Sequence, residues 1–258
     1  MILDEIVAHK RGEVSARMAR RPAREIAAAA ERRQRTPDFR SALAAPGLSV
    51  IAEIKGASPS AGTIRGTYDP VAVAAAYEVG GAAALSVLTD ERYFHGSWDD
   101  LRAVARESRL PVLCKEFIID AYQIDEAKAG GAAAVLLIAG ILTEEELRDY
   151  LACARRGGLG ALVEVHIETE VGTALRAGAD CMAINNRDLR TLRVDIETTA
   201  RPRPLIPEGI TVVSESGFER REQVAWVEGL GVDAILVGTA LMASADPAAT
   251  LRELRGVR

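Results

Sequence analysis

Cysteine is scarce in this chain. Cys114, Cys153 and Cys181 are odd in number, far apart and without CxxC spacing, which argues against a disulfide framework and a zinc site and leaves them as reduced core residues. Histidine is equally sparse: His9, His95 and His166 form no HExxH or other clustered metal pattern. They read as three unrelated residues, and no metal is expected. Long apolar runs are missing too. No segment approaches the roughly 18 uninterrupted apolar residues of a membrane span, and the opening MILDEIVAHKRGEV lacks the apolar centre of a signal peptide. The expected location is cytoplasmic, with no membrane partner. Excess positive charge is also absent: a formal net charge of −5 supplies no general basic field for nucleic acid. The Arg-rich run from Arg17 to Arg40 is interleaved with Glu25, Glu31 and Asp38 and reads as a solvated helix face.

What is present is 258 residues of 48% hydrophobic content, enough for one large core, and α/β barrels of this length are routinely one domain. Short apolar runs rich in β-branched residues recur eight times: LSVIAEIK (48–55), AALSVLT (83–89), PVLCKEF (111–117), AAVLLIA (133–139), GALVEVH (160–166), CMAINN (181–186), TVVSES (211–216) and DAILVG (233–238). Stretches of helical period lie between them, such as DPVAVAAAYEVGG, AYQIDEAKAGG and TEEELRDYLACARRGG, several closing on glycine as helix C-termini prefer. The alternation predicts an α/β fold, a (β/α)8 TIM barrel. Residues 1–47 hold two amphipathic patterns, ILDEIVAHKRGEVSARMA and AREIAAAAERRQ, that are surplus to eight βα units. They predict an N-terminal helical extension or cap before a barrel at 48–258, all in a single domain over 1–258. The stretch ARPRPLIPEG (200–209) is too short for an interdomain linker and reads as a loop.

In VIAEIKGASPSAG (50–62), strand alternation puts Ile51, Glu53 and Lys55 on one side and Ala52 and Ile54 on the other. A salt-bridged pair on a solvated strand face would account for the two charges taken alone. Barrel enzymes, however, gather catalytic side chains at the C-terminal strand ends. Polar interruptions fall there in other strands: Lys115 on the third, Glu164 on the fifth, Asn185 and Arg187 on and after the sixth, Ser216 after the seventh. Such residues would converge on one mouth. The stretches SESG (214–217) and LVGTALM (236–242) add backbone amides around Ser216, Gly217, Gly238 and Thr239, the latter pair opening a short helix. Amides so arranged suit a phosphate-bearing ligand without naming the reaction.

Together these motifs resemble indole-3-glycerol phosphate synthase, the lyase that closes the indole ring in tryptophan biosynthesis. The stretches that carry the resemblance are VIAEIKGASPSAG, ALSVLTDERYFHGS, LCKEFIIDAYQIDEAKAGGAAAVLLIA, LVEVH, INNRDLRTL, SESGF and ILVGTALM, in family order across almost the whole chain. The resemblance implies a small phosphosugar–anthranilate substrate, 1-(2-carboxyphenylamino)-1-deoxyribulose 5-phosphate, and indole-3-glycerol phosphate, carbon dioxide and water as products. It implies no cofactor, because the chemistry needs acids and a base but no electron sink. Carried over by motif, Lys115 is the acid for ring closure. Lys55 binds the carboxylate and donates a proton in dehydration, and Glu53 is the matching base. Glu164 and Asn185 orient these groups and bind hydroxyls. Ser58, Arg187, Ser216, Gly217, Gly238 and Thr239 position the rest of the substrate, the last four around its phosphate. Phe94, Phe117 and Leu189 line an anthranilate pocket, although ordinary core packing accounts for apolar side chains there equally well.

The chain departs from the family's usual IKKASPSKG at Gly56 and Ala61 and carries Thr239 where serine is frequent. These changes reduce the positive charge and stiffness of the loop after the first strand, and Arg65 stands ready to compensate. Two alternatives remain. A phosphoribosylanthranilate isomerase-like enzyme would share the phosphate site but calls for a Cys and Asp pair; a non-catalytic phosphate-ligand-binding barrel would have no reason to keep Glu53, Lys55, Lys115, Glu164 and Asn185 together. The expected working form is a monomer or weak homo-oligomer.

Overall fold

The computed structural model describes residues 2–34, 36–58, 62–188 and 191–257. Eight parallel strands form a closed barrel: β1 Ser49–Ile54, β2 Ala84–Leu88, β3 Val112–Lys115, β4 Ala134–Ile138, β5 Gly160–Val165, β6 Cys181–Asn185, β7 Thr211–Glu215 and β8 Ala234–Val237. The fold is a TIM barrel with an N-terminal helical extension. Closure is direct, since Ile51 of β1 lies opposite Ala84 of β2 on one side and Leu236 of β8 on the other. Each expected strand is present, shortened by a residue or two at its ends.

Three helices precede the barrel: α1 Ile2–Arg20, α2 Ala23–Glu31 and α3 Phe39–Leu43. The sequence pattern predicts only the first two. The third is a five-residue turn, too short to show a period, and Asp38 starts it by accepting from the amide of Ser41. The remaining helices are α4 Pro70–Gly80, α5 Glu91–Phe94, α6 Trp98–Glu107, α7 Ala121–Gly130, α8 Glu144–Gly157, α9 Glu168–Ala177, α10 Arg221–Gly229, α11 Thr239–Ala243 and α12 Pro247–Arg255. Their starts are written in the sequence. Thr143 and Glu146 form a reciprocal capping box on α8, and Asp69 accepts from two amides of α4 beside Pro70. Helix α8 stops where Gly158 takes φ 72°, a left-handed value that a side chain resists. The Pro-rich connection before β7 is a loop carrying two short 3-10 turns, Ile196–Ala200 and Arg203–Leu205.

The barrel interior is filled by alternate strand residues, among them Ile51, Leu113, Leu162, Val213 and Leu236. Ala52, Ile54 and their counterparts face the helices instead. The N-terminal segment packs at both ends of this interior. At the floor, Phe39 and Leu43 of α3 are buried in the interior cluster, and Ser49 at the start of β1 donates to the carbonyl of Leu43. At the mouth, Leu3 and Ile6 of α1 join the same cluster. Lys10 of α1 is fully buried, with its Nζ 2.9 Å from Asp90, 2.9 Å from Glu13 and 3.0 Å from Glu116.

Two residues of the Arg-rich run make contacts with distant segments, Arg17 largely covered and Arg40 exposed. Arg17 lies 5.3 Å from the centre of the Trp98 ring and 3.1 Å from Glu126, and Arg40 donates to Thr211 and to the carbonyl of Gly209. Alternating charges in the sequence do not reveal partners nearly a hundred residues or more away. Among the described residues, no helix is long and apolar enough to cross a membrane.

Candidate active site

At the C-terminal ends of the strands lies a cavity of about 390 Å³. Its wall includes Glu53, Lys55, Lys115, Glu164, Asn185 and Arg187. Ser58, Phe94, Phe117, Ser216, Gly217, Gly238 and Thr239 also border it. The structure therefore brings together every site residue read from the sequence except Leu189, which lies outside the described residues, as does Ala61.

On one side Lys55 Nζ stands 2.5 Å from Glu53 Oε1, confirming that strand alternation puts both on the inner face. Burial disfavours the charge on Glu53, but Lys55 and Lys115 outweigh it and hold the carboxyl below its ordinary range. On the other side Lys115 donates to Glu215 Oε1 at 3.0 Å and Oε2 at 2.8 Å, with Glu164 Oε2 at 3.6 Å. Burial pulls the Lys115 ammonium down, yet Glu215, Glu164 and Glu53 overcome it and raise its pKa.

Glu164 and Glu215 are hydrogen-bonded to each other and deeply buried, so both do not ionise together. Burial and Glu164 push Glu215 up to about 8, whereas Lys115 and His166 overcome burial to hold Glu164 down. At neutral pH the pair holds one proton between its two carboxyls.

Around this centre, Asn185 accepts from the amide of Arg187 at 3.0 Å and hydrogen-bonds Glu164. Asn186 ties β6 to β7 by donating to Ser214 and to the carbonyl of Ser216, both at 3.1 Å. That anchor steadies a turn in which Ser216 and Gly217 have φ 73° and 94°, beside Gly238 at the start of α11. The rings of Phe94 and Phe117 meet at 6.0 Å on the apolar wall, with Leu136 and Ile138 nearby.

The loop after β1 is a short antiparallel ribbon, Ala57–Ser58 with Gly62–Thr63, and the amides of Ile64 and Arg65 both donate to the carbonyl of Gly56. A side chain at Gly56 would meet only ordinary contacts, with Tyr68 and His95, so the glycine is not imposed by space.

Sequence reading missed two residues. Glu215 was legible by the same rule that found Lys115, a lone charge ending an apolar strand, but it was hidden between two serines in SES. His166 is not an unrelated histidine: its Nε2 lies 3.3 Å from Glu164 Oε1 and its Nδ1 3.6 Å from Glu170 Oε2. No pairing pattern in the sequence announces it.

A parallel βα barrel with two lysine–carboxylate groups facing one another, beside a turn suited to phosphate, defines an acid–base enzyme for a phosphorylated substrate. A family model for indole-3-glycerol phosphate synthase matches residues 3–254. An indole-3-glycerol phosphate synthase of Leuconostoc mesenteroides is 44% identical over 260 residues, covering 99% of each chain. One of Mycobacterium avium is 46% identical over 253 residues, 98% of this chain and 93% of the other. Among solved structures, 3-hexulose-6-phosphate synthase from Salmonella typhimurium superposes with a TM-score of 0.66 at 16% identity, over 81% of this chain and 97% of that one, a likeness of fold. The chain belongs to the indole-3-glycerol phosphate synthase family, carbon–carbon lyases of tryptophan biosynthesis.

Proposed function

We propose the following division of labour for the indole-3-glycerol phosphate synthase reaction in this chain. Ring closure joins the carboxylate-bearing aromatic carbon to C2′ of the ribulose chain, and Lys115 protonates the alkoxide that forms. Decarboxylation then restores the aromatic ring. In dehydration Lys55 protonates the departing hydroxyl while Glu53 takes a proton from C1′. Glu164, Glu215 and Asn185 hold Lys115 and the substrate hydroxyls in place; Ser58 and Arg187 position the sugar. The amides around Ser216, Gly217, Gly238 and Thr239 receive the phosphate, and Phe94, Phe117 and Leu189 flank the anthranilate ring.

One observation carries this reading: the two lysines enter a single cavity from β3 and from the end of β1, each held by its own carboxylate. That arrangement supplies two separately tuned acids for two protonation steps. The same reading gives a cytoplasmic enzyme that needs no nucleic acid or membrane and works as a monomer or weak homo-oligomer. Its support is that, among the described residues, the exposed large apolar side chains, Val79, Ile167, Val194, Leu205, Trp226 and Val257, come from separate segments. The test is the appearance of indoleglycerol phosphate fluorescence when purified protein meets the carboxyphenylamino substrate. Turnover of phosphoribosylanthranilate in its place, with no indole product, would overturn the reading.

A further inference from the structure

The proposed roles leave a proton unaccounted for. In ring closure the carbonyl π pair becomes an alkoxide and takes a proton from Lys115. Decarboxylation breaks the bond from ring carbon to carboxylate, returns its electron pair to the ring and moves no proton. Dehydration breaks C2′–O with a proton from Lys55, while the C1′–H pair forms the C1′–C2′ double bond and its proton goes to Glu53. Glu53 returns that proton to Lys55 across their 2.5 Å contact, so this pair is restored without solvent. Lys115 is left one proton short. The overall reaction agrees, since a carboxylate leaves as neutral carbon dioxide and a hydroxyl leaves as water, consuming one proton per turnover.

Replacing it through the mouth is obstructed. The Lys115 side chain is only 12% exposed, and its Nζ points into the cavity that substrate fills. Beside it stand Glu215 and Glu164, and from Glu164 a line of titratable groups leads away from the cavity to His166 and then to Glu170 on α9. Glu164 is 4% exposed, His166 14% and Glu170 19%, so the series climbs toward solvent. The two ring nitrogens of His166 face different carboxylates, Nε2 toward Glu164 at 3.3 Å and Nδ1 toward Glu170 at 3.6 Å. Nε2 is buried and, among the described residues, has no aligned hydrogen-bond partner, with Glu164 Oε1 at 3.3 Å. Glu170 is itself fixed, accepting the backbone amide of His166 at 2.6 Å.

We propose that Glu170, His166 and Glu164 form a proton-uptake path that recharges Lys115 from solvent once per turnover. Charged His166 releases the proton on Nε2 to Glu164, from which it reaches Lys115 directly or through Glu215; rotation of the neutral ring then turns the vacant Nε2 outward to regain a proton from the Glu170 side before it swings back. The charged groups bearing on His166 are Glu164 on its own strand, Glu170 on α9 and Glu215 on β7, all acidic. They outweigh the effect of burial and raise its pKa, keeping the ring charged further into the neutral range.

This inference rests on the assignment of Lys115 as the ring-closure acid. Its test separates the first turnover, which uses the proton already on Lys115, from later ones. In His166→Gln the first turnover should stay within about threefold of the parental rate while the steady-state rate falls roughly tenfold or more. Imidazole buffer should restore steady turnover in His166→Ala, and Glu170→Gln should show a smaller loss of the same kind. Equal loss of first and later turnovers without imidazole rescue would overturn the proposal and leave His166 as a fixed counter-charge to Glu164. Parental steady-state rates in the His166 variants would also overturn it, placing proton uptake at the mouth. Failure of the underlying assignment looks different, because Lys115→Met would then still close the ring.

Discussion

Lys115 donates to both carboxyl oxygens of Glu215, at 2.8 and 3.0 Å, while Glu164 stands 3.6 Å from the same ammonium. One lysine thus sits against two carboxyls of which only one is ionised at neutral pH. Below about pH 8 Glu215 is neutral; above it the group ionises, binds the Lys115 proton more tightly and weakens it as an acid. The kcat profile should therefore fall on the alkaline side with an apparent pKa near 8. In Glu215→Gln, where that position stays neutral, the limb should disappear from this range, with kcat at pH 7 staying within roughly tenfold of the parental value. A limb that persists near pH 8 in the variant would assign it to another group.

The two lysines should fail differently. Lys115→Met should slow ring closure by roughly 10²-fold or more, as expected for loss of general acid catalysis, while substrate affinity stays within about tenfold. Lys55→Met should weaken binding of the substrate carboxylate and delay dehydration. Single-turnover kinetics distinguish the two. If Lys115→Met closes the ring at the parental rate and accumulates undehydrated intermediate, the roles exchange.

The barrel was legible because its signals are local. Each strand is a short β-branched run, and each helix carries its cap residue and often a closing glycine within a few positions. The Glu53–Lys55 pair followed from strand period alone. What escaped was held by distant contacts: α3 exists to plug the floor with Phe39 and Leu43, and Lys10 finds Asp90 and Glu116 some eighty and a hundred residues away. His166 escaped for the same reason. Its meaning comes from Glu164 standing behind Lys115 in space, and three scattered histidines do not encode that.

Gly238 has no room for a side chain. A Cβ there would run into Glu53 Oε1 and come within 3.0 Å of Lys55 Nζ, while the rest of the barrel has no contact to lose. Gly238→Ala should displace the acid–base pair and lower kcat/KM by roughly 10²-fold, the scale of a misplacement near 1 Å. The thermal midpoint should stay within about 4 °C. A variant with parental kcat/KM would show that the pair relaxes freely.

Lys10 anchors the mouth helix to the strand that carries Lys115, because Glu116 is the next residue along and also accepts from Thr89 at 2.9 Å. Burial opposes the charge on Lys10, but Glu116 and Asp90 overcome it and raise its pKa. Lys10→Met leaves those two buried carboxyls without their cation and should cost about 3–5 kcal/mol. The deficit should depend on pH in one direction. Burial already holds the Glu116 carboxyl above its ordinary range against the pull of Lys10, and loss of Lys10 raises it further, so the variant's fold takes up a proton as pH falls and the deficit shrinks toward pH 5. Adding Glu116→Gln should recover part of the loss at pH 8, since a neutral side chain no longer needs the cation. Urea unfolding at pH 5 and pH 8 reads all three expectations. A loss below about 1 kcal/mol at pH 8, or one equal at both pH values, would show that α1 is held at the mouth by Leu3 and Ile6 and not by its buried lysine.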